Sequence, residues 1–148
     1  MTEFNLDDFL PYQLSELSRR VSAGFSSHYR DRYGISVPEW RVMAHLSQQE
    51  AVSVREIHRR VGMDKPKVSR AASRLEAAGY ITKVVNPNDR RLVELSLTPQ
   101  GKDLIATLAP IAADYQARLM AALGDGAEDF VAKVGVLAGR VEADDREV

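Results

Sequence analysis

The 148-residue sequence predicts a mainly helical α+β fold that contains one small β-hairpin. Apolar residues recur at three- and four-residue spacing over most of the chain, which is the spacing of amphipathic helices. Two segments rich in strand-forming residues, Tyr80–Val85 and Leu92–Leu97, flank the turn-forming cluster Asn86-Pro87-Asn88-Asp89, and this order is typical of a hairpin. Six prolines and nine glycines leave room for long helices elsewhere.

The N-terminal part of the chain is predicted to form two helices. The first is expected from about Pro11 to Tyr33, because apolar residues recur on one face of it: Leu14, Leu17, Val21 and Phe25. Gly34 suits the end of this helix. The second is expected to begin after Val37-Pro38-Glu39 and to turn its apolar residues inward, namely Trp40, Val42, Met43 and Leu46.

Two short helices joined by a tight turn are predicted next. Ser53 and Glu56 have the spacing of a capping box, in which the serine caps the helix and the glutamate reaches back. Gly62 breaks this helix, Asp64 can cap the following one, and Pro66 falls in its first turn. The second short helix is expected to end at Gly79 and to bury the face formed by Val68, Ala71, Ala72 and Leu75.

Two longer helices are predicted after the hairpin. The first follows Thr98-Pro99 and is interrupted by Gly124 and Gly126. Its apolar residues are Leu104, Ile105, Leu108, Ile111, Tyr115, Leu119 and Leu123. The apolar residues of the last helix are Phe130, Val131, Val134, Leu137, Ala138 and Val141.

Charge is distributed unevenly along the chain, although the formal net charge is only −1. Residues 53–91 carry ten lysines and arginines against four acids, whereas residues 103–148 carry four basic and nine acidic residues. A basic middle inside an acidic frame predicts a polyanion-binding face. On charge alone, a pattern of solvated salt bridges without a partner remains the alternative.

The second short helix presents a small, basic and hydroxyl-bearing face opposite its apolar one. This face consists of Pro66, Arg70, Ser73 and Ala77, with Lys67, Ser69 and Arg74 at its margins. Arginine can donate two hydrogen bonds to guanine, and serine can bond a base edge or a phosphate. Two short helices followed by a hairpin are the order of a winged helix-turn-helix. The face is therefore expected to lie in the major groove of duplex DNA.

The predicted hairpin adds a second contact with DNA. Arg90 and Arg91 lie beside its turn, where side chains project beyond the domain. Paired arginines at a protruding tip suit the narrow, negative minor groove beside a major-groove contact, although solvated loop arginines are the alternative. With the hairpin included, the sequence predicts DNA binding through residues 53–97.

From Leu10 to Gly101 the sequence resembles the MarR family of bacterial regulators, and the flanking helices resemble that family's dimerisation region. The matching segments are Val52–Ile57, Met63–Arg70, Leu75–Ile81, and Asp89-Arg90-Arg91 followed by Leu97–Gly101, the last pair being the most specific. Pro66 departs from the small polar residue that many relatives carry, which leaves the base preference there open. The resemblance implies a homodimer on a pseudo-palindromic operator, often released by a small phenolic or carboxylate ligand.

The resemblance also implies that Asp89 braces the wing while Arg90 or Arg91 enters the minor groove. Arg70, Ser73 and Arg74 are expected to read the major groove. The full set of candidate DNA-binding residues is Ser53, Lys65, Lys67, Ser69, Arg70, Ser73, Arg74, Asp89, Arg90 and Arg91.

We expect one MarR-type domain over residues 1–148, with the winged lobe at 35–100 and a helical dimerisation region at 1–34 and 101–148. The first helix and the last two carry more apolar surface than the small lobe can cover, and Phe4, Leu6, Phe9 and Leu10 add to it. Burial between two chains would also space two recognition helices about one DNA turn apart. A monomer that folds its own helices into a bundle is the alternative.

A small-molecule site is expected in the cleft between the dimerisation helices and the lobe, where members of this family place their ligands. The candidate residues are His28, Arg32, Tyr33, Trp40 and Met43, with Tyr29 and Arg41 near them. His28 and Arg32, four residues apart, would grip a carboxylate, while Tyr33 and Trp40 would stack on an aromatic ring. The alternative is that Trp40 and Met43 are core residues and that Arg32 faces solvent.

No sequence signature indicates an enzyme, a cofactor or a metal site. The chain has no cysteine, its three histidines lack ligand spacing, and it contains no Gly-x-Ser-x-Gly, P-loop or dinucleotide fingerprint. No apolar run approaches the roughly 20 residues that span a bilayer, and the N-terminus lacks the regions of a signal peptide, so the cytoplasm is the expected location. The sequence favours a repressor-like transcription regulator over a winged-helix protein-interaction module without ligand control.

Overall fold

The computed structural model describes the backbone of residues 3–49 and 51–147 and the side chains as far as Glu142. Its elements are α1 (Leu10–Ser26), α2 (Arg30–Tyr33), α3 (Val37–Leu46), β1 (Val52–Ser53), α4 (Val54–Val61), α5 (Lys65–Ala77), β2 (Ile81–Val85), β3 (Val93–Leu97), α6 (Pro99–Leu123) and α7 (Ala127–Glu147). The predicted fold class, mainly helical with a small hairpin, is confirmed. No helix in the described residues is long and apolar enough to cross a membrane.

The chain divides into two compact units, Met1–Ala109 and Pro110–Val148. The lobe predicted at 35–100 lies wholly inside the first unit. The second unit contains the C-terminal half of α6 and all of α7. The division of the chain into a lobe and a dimerisation region stays a prediction.

The predicted first helix is wrong at its C-terminal end, because α1 stops at Ser26 and α2 begins at Arg30. The hydroxyls of Ser26 and Ser27 donate to the carbonyls of Ala23 and Gly24, at 2.8 and 2.7 Å. Beyond them the amide of His28 bonds only three residues back, to Phe25, at 3.0 Å. Serine hydroxyls that bond the preceding turn compete with the helical pattern, and three-residue bonds tighten and end a helix. His28 and Arg32 therefore do not share one continuous helix.

The helix α3 begins earlier than predicted, at Val37, because Ser36 forms its N-terminal cap. The Glu39 amide donates to the Ser36 hydroxyl at 3.3 Å, and the Ser36 amide donates to the Glu39 carboxylate at 3.1 Å. This reciprocal pair is a capping box. Val42, Met43 and Leu46 are buried as predicted, whereas Trp40 is half-buried.

The predicted pair of short helices is confirmed as α4 and α5. The Ser53 hydroxyl accepts from the Glu56 amide at 3.2 Å, which is the serine half of the predicted capping box. Gly62 then takes a left-handed φ of 67°, which costs glycine least, and Asp64 caps α5 through the Lys67 amide at 2.8 Å. The predicted apolar face of α5 is at most 2% exposed at Val68, Ala71, Ala72 and Leu75. Burying a side chain such as Leu75 contributes about 1.5–3 kcal/mol, and this burial fixes which face of α5 meets solvent.

The predicted hairpin is confirmed, with Ile81–Val85 antiparallel to Val93–Leu97. A third strand, β1, was not predicted, and it pairs antiparallel with β3 to give the order β1-β3-β2. Val52 pairs with Leu95, and both are at most 1% exposed. The sheet thereby joins the start of α4 to the hairpin, which is the wing of the fold.

Thr98 and Gly101 join the wing to α6. The Thr98 hydroxyl donates to the Gly79 carbonyl at 2.7 Å and accepts from the Gly101 amide at 3.0 Å. The Thr98 amide donates to the Tyr80 carbonyl at 3.0 Å. Gly101 approaches the same carbonyl so closely that a Cβ there would stand 2.1 Å from the oxygen. The end of α5, the start of β2 and the start of α6 therefore form one hydrogen-bonded junction.

Candidate nucleic-acid interface

The face of α5 predicted to read DNA is exposed along its whole length. Its apolar side is buried against α3 and α4, so the opposite side faces solvent. The exposed residues of this face include every candidate that the sequence placed on the helix: Lys65, Lys67, Ser69, Arg70, Ser73 and Arg74. The helix therefore presents four of the predicted cations and two hydroxyls to solvent from one rigid element.

Lys83 reaches this face from the wing, and it was not among the residues predicted from the sequence. Its Nζ donates to the Ser73 hydroxyl at 2.9 Å. In β2, Lys83 pairs with Leu95 and lies two residues after buried Ile81, so it occupies an inward position of the strand. The alternation of inward and outward side chains along β2 was the signal that could have found it. A lysine at an inward position of this strand can extend its side chain along α5.

The tip of the wing is held by side-chain bonds to its own backbone. The Asn86 carboxamide oxygen accepts from the amides of Asn88 and Asp89, at 2.8 and 3.3 Å. The Asp89 carboxylate accepts from the Arg91 amide and from its Nε, both at 3.1 Å. The guanidinium beside it, followed by the backbone amide, lowers the pKa of the Asp89 carboxyl from its ordinary value. Asp89 is thus kept ionised and tied to Arg91.

The two wing arginines differ in their environment. Arg91 is bound at both Nε and Nη2 by Asp89, yet its side chain is 88% exposed. Arg90 is also exposed, and it forms no hydrogen bond or ion pair through its side chain within residues 3–49 and 51–142. One arginine of the pair is therefore oriented by the protein, and the other is left to solvent.

A cavity of about 250 Å³ joins the wing to the helix pair. Four of the predicted DNA-binding residues, Ser53, Lys65, Ser69 and Arg91, line it together with Arg55. Arg55 was not singled out as a DNA-binding residue from the sequence. Three cations and two hydroxyls from β1, α4, α5 and the wing can hold one anionic group by charge-assisted hydrogen bonds.

The candidate effector residues differ in their burial and in their ring contacts. Trp40 stacks on Tyr29 at 5.7 Å and meets Phe25 edge-on at 5.1 Å, between ring centroids. Met43 is 0% exposed and belongs to the core. The remaining members are His28, which is half-buried, exposed Arg32, and Tyr33, whose ring centroid lies 5.5 Å from the Arg32 guanidinium.

Arg41, which the sequence placed near this set, borders a cavity in the first unit. Its Nη2 donates to the Ser22 hydroxyl at 3.4 Å. The cavity, of about 320 Å³, lies between α1 and α3 and is also lined by Ser18, Arg19, Ser26 and Arg30. Tyr29, one residue from that lining, is 1% exposed, and burial raises the pKa of its phenol to about 12. Among the described side chains, no group of three or more His, Asp or Glu residues is placed to hold a metal ion.

The sequence of the chain is similar to those of known transcription regulators. A sequence model of the MarR family matches residues 33–92. The chain is 31% identical over 112 residues to the HTH-type transcriptional regulator PapX of Escherichia coli, an alignment that covers 70% of this chain and 68% of PapX. It is 30% identical over 69 residues to the HTH-type transcriptional regulator BilQ of Clostridioides difficile, of which it spans only about half, 47%.

Solved structures share the fold over nearly the whole chain. The MarR family transcriptional regulator SPO1453 from Silicibacter pomeroyi is 29% identical, with a TM-score of 0.77 over 95% of this chain and 98% of that one. BpsR of Bordetella bronchiseptica is 23% identical, with a TM-score of 0.80 over 95% and 98%, and shows the same fold. PapX, BilQ and SPO1453 are transcriptional regulators, in agreement with the prediction that the chain is not an enzyme. Because the family model, PapX and SPO1453 agree, the chain belongs to the MarR family of winged helix-turn-helix transcriptional regulators.

Proposed function

We propose that this chain is a sequence-specific DNA-binding repressor that binds a pseudo-palindromic operator as a homodimer. The observation that carries the proposal is the two-sided character of α5. Its apolar face is held in the core, and its cationic, hydroxyl-bearing face is wholly exposed. A helix that is fixed in this way can enter the major groove without reorganising, and the wing beside it reaches the backbone or the minor groove.

The proposed role of each side chain follows from its position and from the bonds that already hold it. Arg70 and Ser73 read base edges in the major groove, and Lys67 and Ser69 contact bases or phosphates. Arg91 enters the minor groove, because Asp89 already orients its guanidinium and little freedom is lost on binding. Arg90 contacts the backbone. The cavity lined by Ser53, Arg55, Lys65, Ser69 and Arg91 receives a backbone phosphate.

A gel-shift titration tests these roles on a duplex that the wild-type protein selects from random sequences. Arg70→Ala is expected to relax the base preference, since a bidentate arginine–guanine pair contributes about 1–3 kcal/mol of discrimination. Lys67→Ala is expected to weaken binding to all sequences about equally and to reduce the salt dependence of that binding. Arg20→Ala is the matched control, because this exposed arginine lies on α1 and pairs with Glu16. Wild-type affinity and preference in both test variants would contradict the proposal.

The homodimer is proposed because each unit exposes an apolar helical face. In the second unit, Phe130, Val134, Leu137 and Val141 recur at helical spacing on α7 and are 40–59% exposed. In the first unit the exposed apolar residues are Phe4, Leu6, Phe9, Leu10, Leu14 and Leu17. Contiguous apolar surface of this kind marks an interface, and a second copy also supplies the second recognition helix that a two-fold operator needs.

Light scattering coupled to size exclusion tests the assembly. The wild-type protein is expected to elute with twice the mass of one chain. Val134→Asp is expected to lower the measured mass toward that of one chain. Asp129→Asn, an exposed change on the same helix, is the control that should leave the mass unchanged. A wild-type chain that stays monomeric at micromolar concentration would refute the dimer.

We also propose that a small phenolic or aromatic carboxylate releases the chain from DNA. Support comes from the cavity beside Arg41, which places guanidinium groups and serine hydroxyls close to the ring cluster of Phe25, Tyr29 and Trp40. The DNA binding of BpsR is regulated by 6-hydroxynicotinic acid, so that acid and hydroxybenzoates form the test panel. A releasing acid is expected to lower affinity by about 1–3 kcal/mol, and Arg41→Gln to abolish the effect while DNA binding is kept. Failure of every acid to release a preformed complex would contradict this proposal.

A further inference from the structure

A second cationic cavity borders α5, and Arg74 is the one predicted DNA-binding residue in its lining. Its volume is about 360 Å³. It is lined by Arg30 of α2, by Gly34, Ile35 and Ser36 of the loop that follows, by Glu39 of α3, and by Arg74 of α5. No wing residue takes part in this lining, so the cavity is separate from the one that contains Arg91.

Two guanidinium groups from different helices meet at this cavity. Arg30 and Arg74 are both exposed, and neither forms a side-chain hydrogen bond or ion pair with any described side chain. The carboxylate in the lining, Glu39, is already occupied, since it is 7% exposed and accepts from both the amide and the hydroxyl of Ser36. The lining therefore holds two guanidinium groups and one carboxylate, which is an excess of one positive charge around a concave site.

The position of the cavity along α5 suggests what fills it. Ser69 lines the wing-side cavity and Arg74 lines this one, so the two cavities lie on either side of Arg70. At 1.5 Å of rise per residue, Ser69 and Arg74 are about 7.5 Å apart along the helix axis, and side-chain reach adds to that span. The major groove is about 12 Å wide and is bordered by the two phosphate backbones. A helix that places Arg70 in the groove would bring each cavity toward one of these backbones.

We propose that Arg30 and Arg74 form a clamp for one backbone phosphodiester of the bound DNA. A planar guanidinium offers parallel N–H donors that match two phosphate oxygens, and two such groups surround one phosphate. The inference rests on the proposed DNA-binding function and changes one of its predicted roles. Arg74, which the sequence assigned to base reading, contacts the backbone, and Arg30 is a DNA-binding residue outside residues 53–97. The clamp contributes affinity and register but no sequence preference.

The test compares the salt dependence of binding among variants, on the duplex that the wild-type protein selects. Arg30→Ala and Arg74→Ala are each expected to weaken binding and to make the log–log salt slope shallower by about 0.9, the value for one phosphate. The double variant is expected to show the same change in salt slope as each single variant, because both arginines contact the same phosphate. The affinity ratio between the selected duplex and a scrambled one stays at the wild-type value in all three. Arg20→Ala is again the matched control, because this exposed arginine of α1 pairs with Glu16 and does not line the cavity.

Arg30→Lys separates loss of the contact from damage to the fold. It keeps the charge, so the wild-type salt slope is expected with an intermediate affinity, while far-ultraviolet circular dichroism stays at the wild-type spectrum. A wild-type salt slope in Arg30→Ala would overturn the clamp. It would also be overturned if Arg74→Ala changed the base preference at one base pair and left the salt slope unchanged. If these occur while Arg70→Ala still relaxes preference, only the clamp fails. Wild-type behaviour of Arg70→Ala and Lys67→Ala would instead remove the proposed function itself.

Discussion

Replacement of Gly101 by alanine is expected to destabilise the junction between the wing and α6. A Cβ at this position would stand 2.1 Å from the Tyr80 carbonyl oxygen and 3.2 Å from the Leu97 Cδ2 atom. The carbonyl cannot retreat freely, because it accepts the Thr98 amide at 3.0 Å. Overpacking of this kind costs about 1–3 kcal/mol, and loss of the hydrogen bond adds about 1 kcal/mol. We therefore expect the free energy of unfolding to fall by about 2–4 kcal/mol.

Thermal unfolding followed by circular dichroism measures this effect. For a chain of this size the expected loss lowers the midpoint by about 4–16 °C. Gly126→Ala is the control, because a Cβ there has nothing within 4 Å and surface changes of this kind stay within about 0.5 kcal/mol. A Gly101→Ala protein that unfolds at the wild-type midpoint would contradict this close packing, since it would show that α6 and the wing do not approach as closely as the structure places them.

Three further predictions concern the core and two titrating groups. Leu75 is 0% exposed, so Leu75→Ala is expected to lower the free energy of unfolding by about 2–5 kcal/mol in urea denaturation; a change as small as that of exposed Glu76→Ala would be inconsistent with its burial. The pKa of the Asp89 carboxyl lies below the ordinary 3.8 because Arg91 bonds its carboxylate. The ionised carboxylate therefore stabilises the folded state fully above pH 3.8, and this stabilisation is lost as pH falls through the lowered pKa. Its NMR titration midpoint is expected to rise in Arg91→Ala, and an unmoved midpoint would contradict the bond. Burial raises the pKa of the Tyr29 phenol to about 12, above its ordinary value of about 10. The contribution of the neutral phenol to the stability of the folded state is therefore complete below about pH 10 and is lost as pH rises toward 12. Tyr29→Phe is expected to remove the component that titrates near 12 from the absorbance at alkaline pH, and its persistence would show another tyrosine to be responsible.

The helix pair and the hairpin were predictable because local chemistry marks their ends. Ser53 and Asp64 cap α4 and α5, Gly62 supplies the positive φ of the turn, and apolar spacing fixes the buried face. The Asn86–Asp89 cluster marks the turn of the wing by its own side-chain bonds. Each of these signals lies within a few residues of the structure that it determines, so a single sequence contains it.

The features that were missed depend on competition or on distant partners. The break after Ser26 arises from hydroxyls that bond the preceding turn, which apolar spacing over the whole segment does not reveal. The strand β1 has two residues and exists only because β3 pairs with it. Lys83 and Arg55 join the candidate interface, and Arg30 joins the proposed clamp, only when the fold brings their elements beside α5. Met43 was open to two interpretations because helical spacing alone does not separate a cleft from a core, and burial now favours the core.

The proposed function requires that the exposed cationic face of α5 occupies the major groove of duplex DNA. Dimethyl sulfate protection tests it directly, because the reagent methylates guanine N7 in that groove. On a duplex selected by the wild-type protein, we expect protected guanines in two half-sites about one helical turn apart. Arg70→Ala is expected to lose that protection. Full methylation of every guanine in the bound duplex, or protection that Arg70→Ala leaves unchanged, would contradict it.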